Sequence, residues 1–133
     1  MNRYRLSFGE INILSNSLAE VIVDEGIIMD GVMVDEYHDF LLSNLEAPFC
    51  LLVNKKYSYS YTFEAQTSIA SLPEIKAMAI VINSQGGLMS TETLIKLNEA
   101  SAWNIKMFHN REAAVTWLDL FLSNHVSLEF QSL

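Results

Sequence analysis

The last third of the chain alternates strand and helix, and that order restricts the possible folds more than any other feature. Ala77-Met78-Ala79-Ile80-Val81-Ile82 is a short apolar run closed by Asn83-Ser84-Gln85-Gly86-Gly87. An apolar run of this length, bounded by turn residues, predicts a strand. A helix is expected from about Leu88 to Ala102, then a second short strand over Ile105-Lys106-Met107-Phe108. Asn110 is placed to cap a last helix, whose apolar stripe is Ala114, Trp117, Leu118, Phe121 and Leu122. Strands and helices in strict alternation build a mostly parallel sheet under a helical cover.

Upstream, Phe49-Cys50-Leu51-Leu52-Val53 has no polar alternation, as expected of a strand buried on both faces. Tyr4, Leu6 and Phe8 alternate with Arg3, Arg5 and Ser7, the period of a half-buried strand. The apolar phase slips after Gly9 to Ile11 and Ile13, which suggests a bulge. Ser15-Asn16-Ser17 reads as a turn and Ala19 to Val23 as the returning strand, so residues 3–24 are expected to form a β-hairpin. Asp30 caps a predicted helix over Val32 to Leu45, with Met33, Tyr37, Phe40, Leu41 and Asn44 on one stripe. Pro48 stops it. Lys55 to Tyr61 reads as a loop or strand end, Phe63 to Leu72 as a short helix closed by Pro73, and the tail after His125 as weak strand. The expected architecture is a single α/β domain over residues 1–133. It has a mixed four- or five-stranded sheet, an N-terminal β-hairpin and about four covering helices.

Half of the 133 residues are hydrophobic and only 18% are charged, so some apolar surface is expected to lie uncovered as an interface or groove. The single Cys50 allows no internal disulfide and fits a reducing compartment; in a central strand its thiol is expected to be buried and inert. The basic N-terminus has no apolar stretch behind it, and no run approaches the ~18 apolar residues of a membrane span. A soluble cytoplasmic protein is expected. The formal net charge is −8, and from Leu6 to Asn54 there is no Lys or Arg among nine Asp and Glu residues. Nucleic acids and anionic membranes both demand Lys and Arg. Neither is an expected partner. Asp35, Glu36 and Asp39 on the first helix are read either as a docking face for a basic partner or as a solvated surface.

The most unusual local feature is Tyr57-Ser58-Tyr59-Ser60-Tyr61-Thr62. Tyrosine combines an apolar ring with a polar tip, which suits a ligand or partner surface. The alternative is that Tyr and Ser simply alternate across a strand, with Ser outward. Trp103, at a helix-to-strand junction, either rims a groove or packs over the sheet edge. Gly86-Gly87 lacks both the spaced glycines of a dinucleotide fingerprint and the Gly-Lys-Ser/Thr of a phosphate loop, and reads as a turn. His38, His109 and His125 are scattered without a second ligand nearby, so no metal is expected. No convergent acid, base or nucleophile stands out, and no catalytic residue or cofactor is assigned.

Four stretches resemble the STAS fold (sulphate transporter and anti-sigma factor antagonist), in particular its small bacterial stand-alone relatives, described as STAS-like or CRAL-TRIO-like. They are Glu64-Ala65, Lys76 to Asn83, Leu94-Ile95-Lys96-Leu97-Asn98, and Asn104-Ile105-Lys106-Met107-Phe108 running into Glu112 to Leu118. The last is the most specific, and the resemblance covers residues 17–122 or so, looser over the N-terminal strand. The resemblance implies a four- or five-stranded sheet packed by helices, often dimeric, and no reaction. The Asp-Ser-Gly phosphorylation motif of anti-sigma antagonists is absent; Ser58, Ser60 and Thr62 lie near its place. The expected function is a non-enzymatic regulatory or protein-interaction module, as a homodimer with a possible protein partner. The alternative is a carrier of a small apolar ligand such as a fatty acid or phospholipid.

Overall fold

Three antiparallel strands open the chain: β1 (Asn2–Arg5), β2 (Gly9–Ser15) and β3 (Leu18–Val23). The slip in apolar phase at Gly9 is therefore a chain reversal and not a bulge. The Leu6 amide donates to the Gly9 carbonyl at 2.8 Å and turns β1 back along β2. Glycine is required there, since a Cβ on Gly9 would lie 2.2 Å from the Ile22 carbonyl oxygen of β3. The register does shift in this meander, but between Ile13 and Ser15.

The chain continues through β4 (Ile28–Met29), α1 (Gly31–Asn44), β5 (Phe49–Lys55), β6 (Ser60–Tyr61) and α2 (Phe63–Ser68). It ends with β7 (Ile75–Ile82), α3 (Gln85–Leu97), β8 (Ile105–Phe108) and α4 (Arg111–Gln131). The computed structural model describes residues 2–83, 85–97 and 104–131. Among them the main sheet is mixed and six-stranded, in the order β1-β2-β3-β5-β7-β8, with β4 and β6 forming a small parallel pair apart. The expected α/β fold is present. Its sheet has six strands rather than four or five, because residues 2–15 form two strands and the expected hairpin is a three-stranded meander.

From β3 onward every neighbour is parallel, and the order β3-β5-β7-β8 never reverses. Right-handed crossovers that always step the same way put their helices on one face. Accordingly α1, α2 and α3 share that face, where Val34, Tyr37, Leu41, Ala65 and Leu94 pack against Val21, Leu51, Met78 and Ile80. Helix α4, the last element among the described residues, crosses to the other face. There Ala114 and Leu118 pack on Leu18, Cys50, Leu52 and Val81, and the small side chains of Ala77 and Ala79 let the helix approach. Trp117 completes this layer, 4.8 Å from the Phe121 ring and 5.6 Å from Phe108 between centroids.

The helix starts follow side-chain chemistry. Asp30 accepts from the Met33 amide at 3.0 Å, Thr62 from Ala65 at 3.2 Å and Asn110 from Ala113 at 2.8 Å. Each bond satisfies a donor that the first helical turn leaves open. On α1 the buried stripe is Val34, Tyr37 and Leu41; Asn44, expected on it, is exposed and donates to the Phe40 carbonyl. The tail is a second correction. Helix α4 runs to Gln131, where weak strand was expected, since nothing between Arg111 and Gln131 is glycine or proline to stop it.

Candidate functional site

The Tyr57–Thr62 run does alternate as a strand does, but it leaves the main sheet to do so. Ser60 and Tyr61 pair with Ile28 and Met29, and Ser60 and Ser58 face out while Tyr59 and Tyr61 turn in. Their hydroxyls are 3.1 Å apart and their rings meet edge to face at 5.4 Å. Tyr57 stays 42% exposed, and Ser58 is tied to the turn before β4 through the Gly26 amide, 2.8 Å from its carbonyl.

Lys55, the last residue of β5, brings its ammonium over both rings, 5.1 Å from Tyr59 and 5.3 Å from Tyr61. A cation over an aromatic face is attracted by the ring quadrupole. The residue is only 5% exposed, and burial lowers its pKa to about 8. Burial likewise pushes Tyr61 up to about 12, and Tyr37 and Tyr59 well above the ordinary phenol range. These hydroxyls stay protonated at neutral pH and cannot serve as bases. Together with Phe8, Met29 and Leu94 the tyrosines enclose an apolar void of about 20 Å³. That is room for roughly one water molecule. In open parallel sheets ligands bind where the strand order reverses and neighbouring crossovers diverge. The monotonic order from β3 to β8 provides no such crevice beside Lys55.

The acidic residues of α1 separate. Glu36 is half-buried and accepts from the Ser7 hydroxyl in the β1–β2 turn, with the Ser7 amide 3.5 Å away. Asp35 and Asp39 are exposed one turn apart. Asp35 joins Asp30 and Glu64 in a groove of about 530 Å³ between the starts of α1 and α2. Glu64 reaches across it: a Cβ on Gly31 would lie 3.0 Å from its Oε1. Val32 lines the groove at 78% exposure, and Phe63 and Ile28 are exposed at the same end of the sheet. Sequence reading missed Glu64, Val32 and Phe63. Their signal is topological: helices that follow parallel strands all begin at the strands' C-terminal ends, so the first turns of α1 and α2 become neighbours.

On the second face Glu20 is buried. It accepts from Arg111 Nε and a terminal guanidinium nitrogen at 3.2 and 3.0 Å, and from the Asn54 amide at 3.0 Å. Burial by itself raises its pKa, but these hydrogen bonds and the charges of Arg111 and Lys56 prevail and hold the carboxyl below its ordinary value.

The remaining candidates have structural positions. Cys50 is fully buried beneath α4, and burial raises its thiol to about 11 against the opposing effects of Lys76 and the Ala77 backbone. His38 Nε2 lies 3.0 Å from the Ile69 carbonyl, Gly86 and Gly87 fall in the first turn of α3, and His109 is exposed just after β8. Trp103 lies outside the described residues. Among the described residues no group of three or more His, Cys, Asp or Glu is placed to hold a metal ion. Nor is any described helix long and apolar enough to cross a membrane.

With this geometry in hand, comparison with protein-family models, curated proteins and solved structures finds no match for the chain.

Proposed function

We propose that the chain is a non-enzymatic regulatory or protein-interaction module on a STAS-like scaffold, and that it docks a basic, partly apolar segment of a protein partner. One observation carries this reading: the groove in which Asp35 and Glu64 flank the exposed Val32, with Phe63 and Ile28 exposed at the same end of the sheet. Apolar side chains exposed together and bordered by one sign of charge favour a partner of opposite charge, since the charges steer encounter and the apolar contacts hold it. Homodimerisation, implied by the STAS resemblance, belongs to the same proposal.

The carrier of a fatty acid or phospholipid is the weaker reading. Ligand pockets span ~300–1,000 Å³, whereas the apolar void encloses about 20 Å³.

The test is capture of partners from cell lysate by the purified chain, followed by identification of the bound protein. A partner retained through a basic segment should be lost from Asp35→Lys and Glu64→Lys, and weakened by Phe63→Ser. Capture indifferent to all three refutes the groove as the docking site. Native mass spectrometry of the same preparation covers the other reading, since a stoichiometric added mass of lipid size would restore the carrier.

A further inference from the structure

We propose that the open half of the sheet's second face binds a small zwitterion of the α-amino-acid type. Helix α4 covers this face over β5, β7 and the start of β3 at Leu18, and beyond it, along β1, β2 and the end of β3, lies a polar depression of about 310 Å³. Three of the chain's eight Lys and Arg residues meet there, namely Arg3, Arg5 and Lys56. That concentration stands out on a protein with a net charge of −8. Two carboxylates partly offset it: Glu10 lies 3.4 Å from Arg3 Nε, and Asp24 pairs with Arg5. Lys56 forms no ion pair among the described residues, and its ammonium lies 5.6 Å from the centroid of the Tyr57 ring. The depression therefore retains one cation in excess, and it suits a ligand bearing an anion.

The second requirement comes from Asn12. It sits directly opposite Arg3 in the β1–β2 register and lines the depression, yet it is only 6% exposed. Among the described residues its Oδ1 is buried without a hydrogen-bond partner. A buried carbonyl oxygen left unsatisfied is costly, and a ligand that brings an N–H donor to it recovers that loss. The chemistry thus asks for an anion for Lys56 and the arginines, and for a donor for Asn12 with Glu10 nearby. An amino acid carries both, as carboxylate and ammonium. This site lies on the face opposite the α1–α2 groove, so it stands or falls separately from the docking reading.

The experiment is thermal unfolding of the full chain with each of the common L-α-amino acids added singly, followed by calorimetric titration of the one giving the largest shift. At a hundredfold excess over Kd the midpoint should rise by about 5–10 °C. Lys56→Gln, a surface change that leaves folding intact, should weaken binding about tenfold, as should Asn12→Leu. Removing either the amino or the carboxylate group of the ligand should abolish the shift. The proposal is overturned if no amino acid moves the midpoint, or if binding is unchanged in Lys56→Gln. It is equally overturned if acetate or inorganic phosphate binds as tightly, since the site would then recognise anions alone.

Discussion

Replacing Arg111 with methionine tests whether the Glu20 carboxylate is kept charged by its partners against the pull of burial. The Glu20 side chain is 7% exposed and that of Arg111 50%. Breaking a fully buried pair costs ~3–5 kcal/mol, and an exposed pair contributes ~0–1 kcal/mol. With one partner half in water and the Asn54 bond retained, the expected loss at pH 7 is about 2 kcal/mol. For a chain of this length that lowers the unfolding midpoint by roughly 6–8 °C. The pH dependence is the sharper part. In the native protein the carboxyl lies below its ordinary value, so its contribution is present above the unfolded pKa and lost as pH falls through the folded one. In Arg111→Met burial becomes the main influence and the folded pKa rises above the unfolded one. The variant's penalty is then full at neutral pH and relieved as Glu20 takes up a proton. Urea unfolding of both proteins at pH 7 and near pH 4 should show the gap shrinking by at least half, because carboxylates elsewhere cancel in the difference. A gap of the same size at both pH values refutes the argument, as does a variant as stable as the parent.

Burial lowers Lys55 to about 8, so the unfolded chain binds more protons above that pH, and stability should rise between about pH 8 and 9.5. Lys55→Met should abolish that rise in urea titrations, and a rise that survives assigns it to another group. Leu118 is fully buried under α4, whereas Leu120 is 57% exposed. Alanine at 118 should therefore cost ~2–5 kcal/mol and alanine at 120 under ~0.5 kcal/mol, and equal losses would mean that α4 is rotated from the face described. Gly9→Ala drives a methyl into the Ile22 carbonyl and should destabilise by at least ~2 kcal/mol; a neutral substitution would place the β1–β2 turn elsewhere.

Several elements were legible because local chemistry and burial agree in them. The apolar run at Phe49 becomes the central strand β5, Asp30 and Asn110 cap the helices they precede, and Ala114 and Leu118 are the buried face of the last one. The failures occur where a pattern admits two geometries. At Gly9 a phase slip can mean an inserted residue or a full reversal, and only the contact with Ile22 in β3 decides between them. The serine and tyrosine alternation after Lys55 was visible, but not that it pairs with two residues near position 28. Of the acidic residues on α1, Glu36 turned to Ser7, 29 residues away in the chain, and Asp35 came to line one groove with Glu64.

By itself the sequence determined the α/β class, the central buried strand and the acid-rich, cation-poor first half, because periodicity and charge act within a few residues. Tertiary structure decided which helices share a face, that α4 lies alone on the other, and that Arg3, Arg5 and Lys56 gather around a buried Asn12. Those outcomes follow from the order in which strands join the sheet. That order depends on long-range pairing and crossover handedness, which no local run of residues encodes.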